Sequence, residues 1–129
     1  HDRARQIIDD IGLAARADVA AGALSYAEQR ALEIGLTVAS GAQVILLDEP
    51  TAGMSRSETE RAVALIRKVS IGRTLMMVEH DMHVVFDLAD RISVLVHGAL
   101  VASGDPAAIR ADERVQQAYL GPGPGAGHA

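Results

Sequence analysis

Cysteine is absent from the 129 residues, so neither a disulfide nor a thiolate metal site can form. A reducing compartment is compatible with that absence. Tryptophan is absent as well, and Tyr26, Phe86 and Tyr119 are the only aromatics, too few for a base-stacking platform. The net charge is −5, which argues against a nucleic-acid binder that works by neutralising phosphates. No apolar run approaches the roughly 20 residues needed to span a bilayer. No signal peptide is visible, and the start at His1 rather than Met is read as a truncated or processed chain. Lys68, between Arg67 and Val69, is the single lysine, so the phosphate-binding loop G-x-x-x-x-G-K-S/T is missing. What remains is ordinary globular material: 49% hydrophobic residues and a length that suits one domain with a modest core.

Within that material the stretch Val44-Ile-Leu-Leu-Asp-Glu-Pro50 stands out. A short uninterrupted apolar run reads as a strand buried on both faces, as in parallel sheets. Pro50 cannot donate to a ladder and ends the strand. Asp48 and Glu49 then fall at its carboxyl end, the edge where open α/β sheets bind ligands. Two adjacent carboxylates there suit a nucleotide triphosphatase. One can hold Mg²⁺, usually through water, and the other can deprotonate an attacking water. By themselves they serve equally well as a solvated loop opening.

The elements around this strand follow from local signals. Asp2 is expected to cap a helix over 2–11 carrying Ile7, Ile8 and Ile11, with Gly12 as its stop. Residues 13–23 are alanine-rich and read as loop with some helical turn. Ser25 and Glu28 form an S-x-x-E capping box, which opens a helix towards Gly41. Its N-terminus would suit an anion, although a capped core helix explains the same residues. Thr51-Ala-Gly-Met54 is a turn with Gly53 supplying backbone freedom. Ser55 and Glu58 form a second capping box for a helix to about Val69, with Ala62, Leu65, Ile66 and Val69 on its apolar face. Thr74 to Val78 is a second strand, followed by Glu79 and His80. Asp81 caps a helix over about 82–89. Ile92 to Val96 is a third strand, His97-Gly98 a two-residue hairpin turn, and 99–102 the returning strand. Asp105 and Pro106 start the last helices, at about 107–111 and 113–120. The Gly/Pro tail over 121–129 is expected to be disordered. Strand–helix alternation implies a parallel α/β core.

Four motifs in this order resemble the ATPase subunit of ATP-binding cassette (ABC) transporters: LSYAEQ at 24–29 (signature), VILLDEP at 44–50 (Walker B), TAGMS at 51–55 (D-loop) and VEHDM at 78–82 (switch-histidine loop). Tyr26, the EHDM run with Val84-Val85, and the ending RADERVQQAYLG at 110–121 are similar to the branched-chain amino acid importer group. Urea and amide importers are also similar. The resemblance covers residues 1–120 and implies a partial P-loop NTPase core: parallel strands, flanking helices, a C-terminal β-hairpin and helices, with the Walker A half missing. It divides the chain into the end of a helical subdomain with the signature helix (1–41), the Walker B, D-loop and switch core (42–104) and C-terminal helices (105–120).

By that resemblance Asp48 would help hold Mg²⁺, Glu49 would be the general base and His80 would contact the γ-phosphate. Ser25, Tyr26, Ala27 and Glu28 would face the ATP of a second ATPase subunit, and Gly53 and Ser55 would belong to the D-loop. Implied partners are that second subunit, transmembrane permease subunits and, indirectly, a substrate-binding protein. The implied location is cytoplasmic, against the inner face of the membrane. Ala27 stands where the family has its second signature glycine, and its methyl narrows the approach of a phosphate to the backbone. Glu28 brings a negative charge where the pattern often has Gln, and Ser55 stands where the D-loop usually has Asp. Without the phosphate-binding loop the chain alone is expected neither to bind ATP tightly nor to hydrolyse it. Its two inner strands are expected to have unpaired edges and uncovered apolar faces, which favours self-association or assembly with a complementary chain. A non-catalytic interaction subunit is the competing reading.

Overall fold

In a computed structural model, residues 1–120 are described; the expected disorder of 121–129 lies outside them. The chain forms two compact units, His1–Glu79 and a second that begins at His80.

The first unit starts with α1 (Asp2–Asp10). Its cap position is His1 rather than Asp2, which sits inside the first turn and makes no side-chain cap. Gly12, at φ +79°, turns the chain away from the helix, a conformation open to glycine without a Cβ penalty. Two short 3₁₀ turns at Ala14–Arg16 and Ala21–Ala23 account for the alanine-rich segment. Helix α2 (Tyr26–Ala39) and helix α3 (Arg56–Val69) each begin with a complete capping box, Ser25 with Glu28 and Ser55 with Glu58. Ile11, Leu13 and Leu24 form a small core with Ile7, Ile8, Ala31, Leu32 and Leu65 packed on it. Gly35 is what lets α1 and α2 approach: a Cβ there would stand 2.8 Å from Ile11 Cδ1. On α3 the buried residues are Val63, Ile66 and Val69, so Val63 joins the face expected from Ile66 and Val69, while Ala62 and Leu65 are half-buried.

Strands β1 (Val44–Asp48) and β2 (Thr74–Val78) pair in parallel, in register from Val44 with Thr74 to Asp48 with Val78. One expectation fails here. The apolar run of β1 is not buried on both faces: Ile45 is fully buried, but Val44 and Leu46 are exposed. Side chains alternate across a strand, and the register puts Val44, Leu46, Met76 and Val78 on one open face. That face is exposed, and the two strands form a sheet of their own among the described residues, which leaves their outer edges unpaired. The expectation of uncovered apolar faces and unpaired strand edges is thereby met.

The second unit contains α4 (Met82–Leu88), capped by Asp81, which accepts from the amides of His83 and Val84. It continues into an antiparallel hairpin of β3 (Ile92–Val96) and β4 (Ala99–Gly104). His97 and Gly98 both have positive φ, +48° and +78°, the pair of left-handed residues that a tight hairpin turn with matching twist requires. The returning strand runs two residues further than the sequence suggests and carries a register shift at Val94/Leu95. Asp105 caps α5 (Pro106–Ala111) through the amide of Ala108. Beyond it, α6 (Glu113–Val115) widens into a π-helical turn at Gln116–Leu120, where the sequence predicts one helix over 113–120. Ile92, Val94, Ile109 and Val115 make this unit's core. The Arg110 guanidinium lies 4.3 Å from the centre of the Phe86 ring.

Candidate functional site

The carboxyl end of β1 is built by two ties to β2. The backbone amide of Glu49 donates to the carbonyl of Val78 at 2.7 Å. Two residues on, Thr51 is buried, and both its hydroxyl (2.8 Å) and its amide (3.3 Å) donate to Oε2 of Glu79. Between these ties Glu49 takes φ +46°. A non-glycine residue in that region is uncommon, and the following Pro50 restricts it further. Such conformations cost of order 1–3 kcal/mol and persist only where the surroundings over-determine them. Asp48 and Glu49 are both exposed. Asp48 also borders a cleft of about 220 Å³ with Leu46, Leu47 and Pro50.

The turn that follows closes as its sequence suggests. The amide of Ala52 donates to the carbonyl of Glu49, and that of Met54 to the carbonyl of Thr51. Gly53 takes φ +75°. Ser55 then caps α3, its Oγ accepting from the Glu58 amide at 3.3 Å while the Ser55 amide donates to Glu58 Oε1 at 3.0 Å.

At the start of α2 the amide of Ser25 donates to Glu28 Oε2 at 2.8 Å, and Ser25 Oγ accepts from the Glu28 amide at 3.2 Å. Arg16 Nε donates to Glu28 Oε1 at 3.1 Å. The Glu28 carboxyl is held below its usual range, first by the Ser25 amide and also by Arg16. The charge that Glu28 brings to the helix start is therefore engaged by the cap and by Arg16. Ser25 uses its Oγ as an acceptor, which leaves its hydroxyl proton to donate elsewhere. The amides of Tyr26 and Ala27 belong to the first helical turn, where no intrahelical acceptor exists. Tyr26 is exposed, with Arg30 donating to its hydroxyl at 3.2 Å. Ala27 is half-buried and lines a cleft of about 390 Å³ together with Ser25, Glu28, Arg30, Met54 and Arg61.

The first unit thus contains the start of α2, Asp48, Glu49, Gly53 and Ser55. His80 opens the second unit and is exposed. Among the described residues no cluster of three or more acidic, His or Cys side chains could hold a metal ion. Asp48 offers one hard oxygen ligand, which fits Mg²⁺ carried in on phosphate oxygens and water rather than caged by protein. Thr51 and Glu79 fall within the TAGMS and VEHDM stretches, but no motif announces that they pair. The available signal is a polar residue directly after Pro50 and a carboxylate directly before His80.

Comparison with known proteins gives a consistent result. Residues 99–121 match a family described as branched-chain amino acid ATP-binding cassette transporter. The chain is 38% identical over 116 residues to the high-affinity branched-chain amino acid transport ATP-binding protein BraF of Pseudomonas aeruginosa, covering 88% of this chain and 46% of that protein. It is 38% identical over 122 residues to the corresponding LivG protein of Escherichia coli, covering 93% and 48%. Among solved structures, MJ1267, an ATP-binding cassette of an ABC transporter, superposes with a TM-score of 0.80 at 25% identity, covering 93% of this chain and 49% of that one. The chain spans about half the length of the relatives it matches.

Proposed function

We infer, for a chain whose homologues are the ATP-binding proteins of ABC transporters, that it supplies the hydrolytic half of a transport ATPase site. The observation that carries this reading is the end of β1. Asp48 and Glu49 are exposed at the carboxyl edge of a parallel pair, and the turn after them is tied to β2. In this reading Asp48 holds Mg²⁺ through water. Glu49 accepts the proton of the water that attacks the γ-phosphate. His80 contacts that phosphate and senses its loss. Ser25, with the amides of Tyr26 and Ala27, faces the γ-phosphate of ATP held by a second subunit, since a helix N-terminus favours an anion. Gly53 and Ser55 belong to the loop facing that subunit. The Mg²⁺ supplies charge neutralisation on the phosphates when bound.

The transported substrate is a branched-chain amino acid, a proposal supported by the match over residues 99–121 and by the names of the relatives. The partners are a second ATPase subunit and transmembrane permease subunits, with a substrate-binding protein beyond them. The protein would then lie on the cytoplasmic face of the membrane. No helix among the described residues is long and apolar enough to cross a bilayer. The competing reading is a non-catalytic interaction subunit.

Calorimetric titration of Mg-ATP separates the two readings. The chain by itself is expected to show no micromolar binding, and the chain completed with a phosphate-loop segment is expected to bind and hydrolyse ATP. Stoichiometric micromolar binding by the chain alone would overturn the half-site reading. A completed chain that binds ATP without turnover would favour the interaction subunit.

A further inference from the structure

We propose that Glu79 is a positioning residue that holds the general base Glu49 in its reactive conformation through Thr51. The proposal rests on the assignment of Glu49 made above. It starts from a backbone anomaly. Glu49 sits at φ +46° directly before a proline, a combination that local sterics oppose. A free chain would relax it, and the carboxylate would leave the β1 edge. Two ties to the neighbouring strand and its end oppose this, one on each side, beside the turn's own bond from the Ala52 amide to the Glu49 carbonyl. On the N-terminal side, the Glu49 amide is fixed on the Val78 carbonyl. On the C-terminal side, the only covalent route runs through Pro50 to Thr51, and both donors of Thr51 are gripped by one oxygen of Glu79.

Thr51 is the one polar residue among the described ones that is buried to the level of the core, at 6% exposure. A buried hydroxyl needs a partner, and a charged acceptor gives the stronger bond. The bond spans 28 residues and joins the turn after β1 to the residue that follows β2. Glu79 does not reach the reacting atoms in this role. It acts by denying the turn any other conformation, which is the kind of support a misplacement-sensitive base requires.

The test uses the ATPase completed with its phosphate-loop segment. Four variants are compared: Glu79→Ala, Thr51→Val, Thr51→Ser and Glu49→Gln. Thr51→Val keeps the shape and removes the hydroxyl, while Thr51→Ser keeps both donors. Glu79→Ala and Thr51→Val are expected to lower kcat by about 10- to 100-fold with KM for ATP within about twofold, by the sensitivity of catalysis to small misplacements. Thr51→Ser is expected to retain turnover. In a Glu49→Gln background, Glu79→Ala is expected to add no further loss. The ³J(HN,Hα) coupling and Cα shift of Glu49 are expected to leave their left-handed values in Thr51→Val and keep them in Thr51→Ser.

Wild-type kcat in both Glu79→Ala and Thr51→Val, with Glu49→Gln inactive, overturns this inference alone. So does an unchanged Glu49 coupling in a folded Thr51→Val variant. Wild-type turnover by Glu49→Gln overturns the general-base assignment, and the inference falls with it.

Discussion

Ser25 and Glu28 hold each other: each residue's side chain accepts a hydrogen bond from the other's backbone amide, at 3.2 and 2.8 Å. The same two residues begin the helix whose N-terminus we propose to face a phosphate. Cap and ligand role can be separated by substitution. Ser25→Ala removes the acceptor and is expected to cost about 1 kcal/mol of stability by urea denaturation. Ser25→Asp caps as well as serine and is expected to recover that stability. Its carboxylate opposes a phosphate, however, so ATP turnover in a completed two-subunit enzyme is expected to stay low. Full recovery of turnover with Asp would reduce Ser25 to a cap.

Acid should weaken the fold through three carboxylates. Glu28 is held low first by the Ser25 amide, Glu58 first by the Ser55 amide, and Asp112 first by the Arg114 side chain. In each case the folded-state value lies below the unfolded one. The stabilisation is therefore present above the ordinary carboxylate range, about 4, and is lost as pH falls through the folded values. The urea midpoint is expected to drop between about pH 5 and pH 3. Glu28→Gln preserves the capping pattern without titrating there, so its midpoint should fall less steeply. A midpoint independent of pH over that range would contradict the argument.

The open face of the β1–β2 pair should drive association of the 129-residue chain. Leu46 and Met76 are register partners, 70% and 64% exposed, flanked by the exposed Val44 and Val78. A contiguous apolar strip of this kind beside unpaired strand edges is an aggregation hazard. Sedimentation of the isolated chain is expected to show a mass that rises with concentration. The double variant Leu46→Glu, Met76→Lys is expected to sediment near 13.5 kDa. A wild-type chain that stays monomeric at high concentration would argue that this face is harmless.

Close approach of α1 to α2 depends on Gly35. Gly35→Leu would drive a side chain into Ile11 and Ile7, and overpacking of that kind costs about 1–3 kcal/mol. Thermal unfolding should show a clear loss. Gly22→Ala serves as the control, because a Cβ at Gly22 meets no atom within 4 Å, and its melting temperature should be unchanged or slightly raised.

Much of the chain was legible in its sequence because the signals are local. The caps at Ser25, Ser55, Asp81 and Asp105 act over two or three residues, so the residue types alone announce where helices begin. The His97-Gly98 turn is equally local. The order of LSYAEQ, VILLDEP, TAGMS and VEHDM carried the resemblance to ABC ATPases. Local signals failed where geometry depends on what lies across the fold. The run Val44 to Leu47 reads as apolar on both faces, yet only the tertiary structure decides which face is covered, and here it covers Ile45 and leaves Leu46 open. Asp2 is a good cap residue by type, but the helix begins one position earlier. The tie from Thr51 to Glu79 leaves only a faint local signal, a polar residue after Pro50 and a carboxylate before His80, and the strained backbone of Glu49 leaves none. Both arise from pairing β1 beside β2 across roughly 30 intervening residues. A sequence specifies such a contact only through the whole fold.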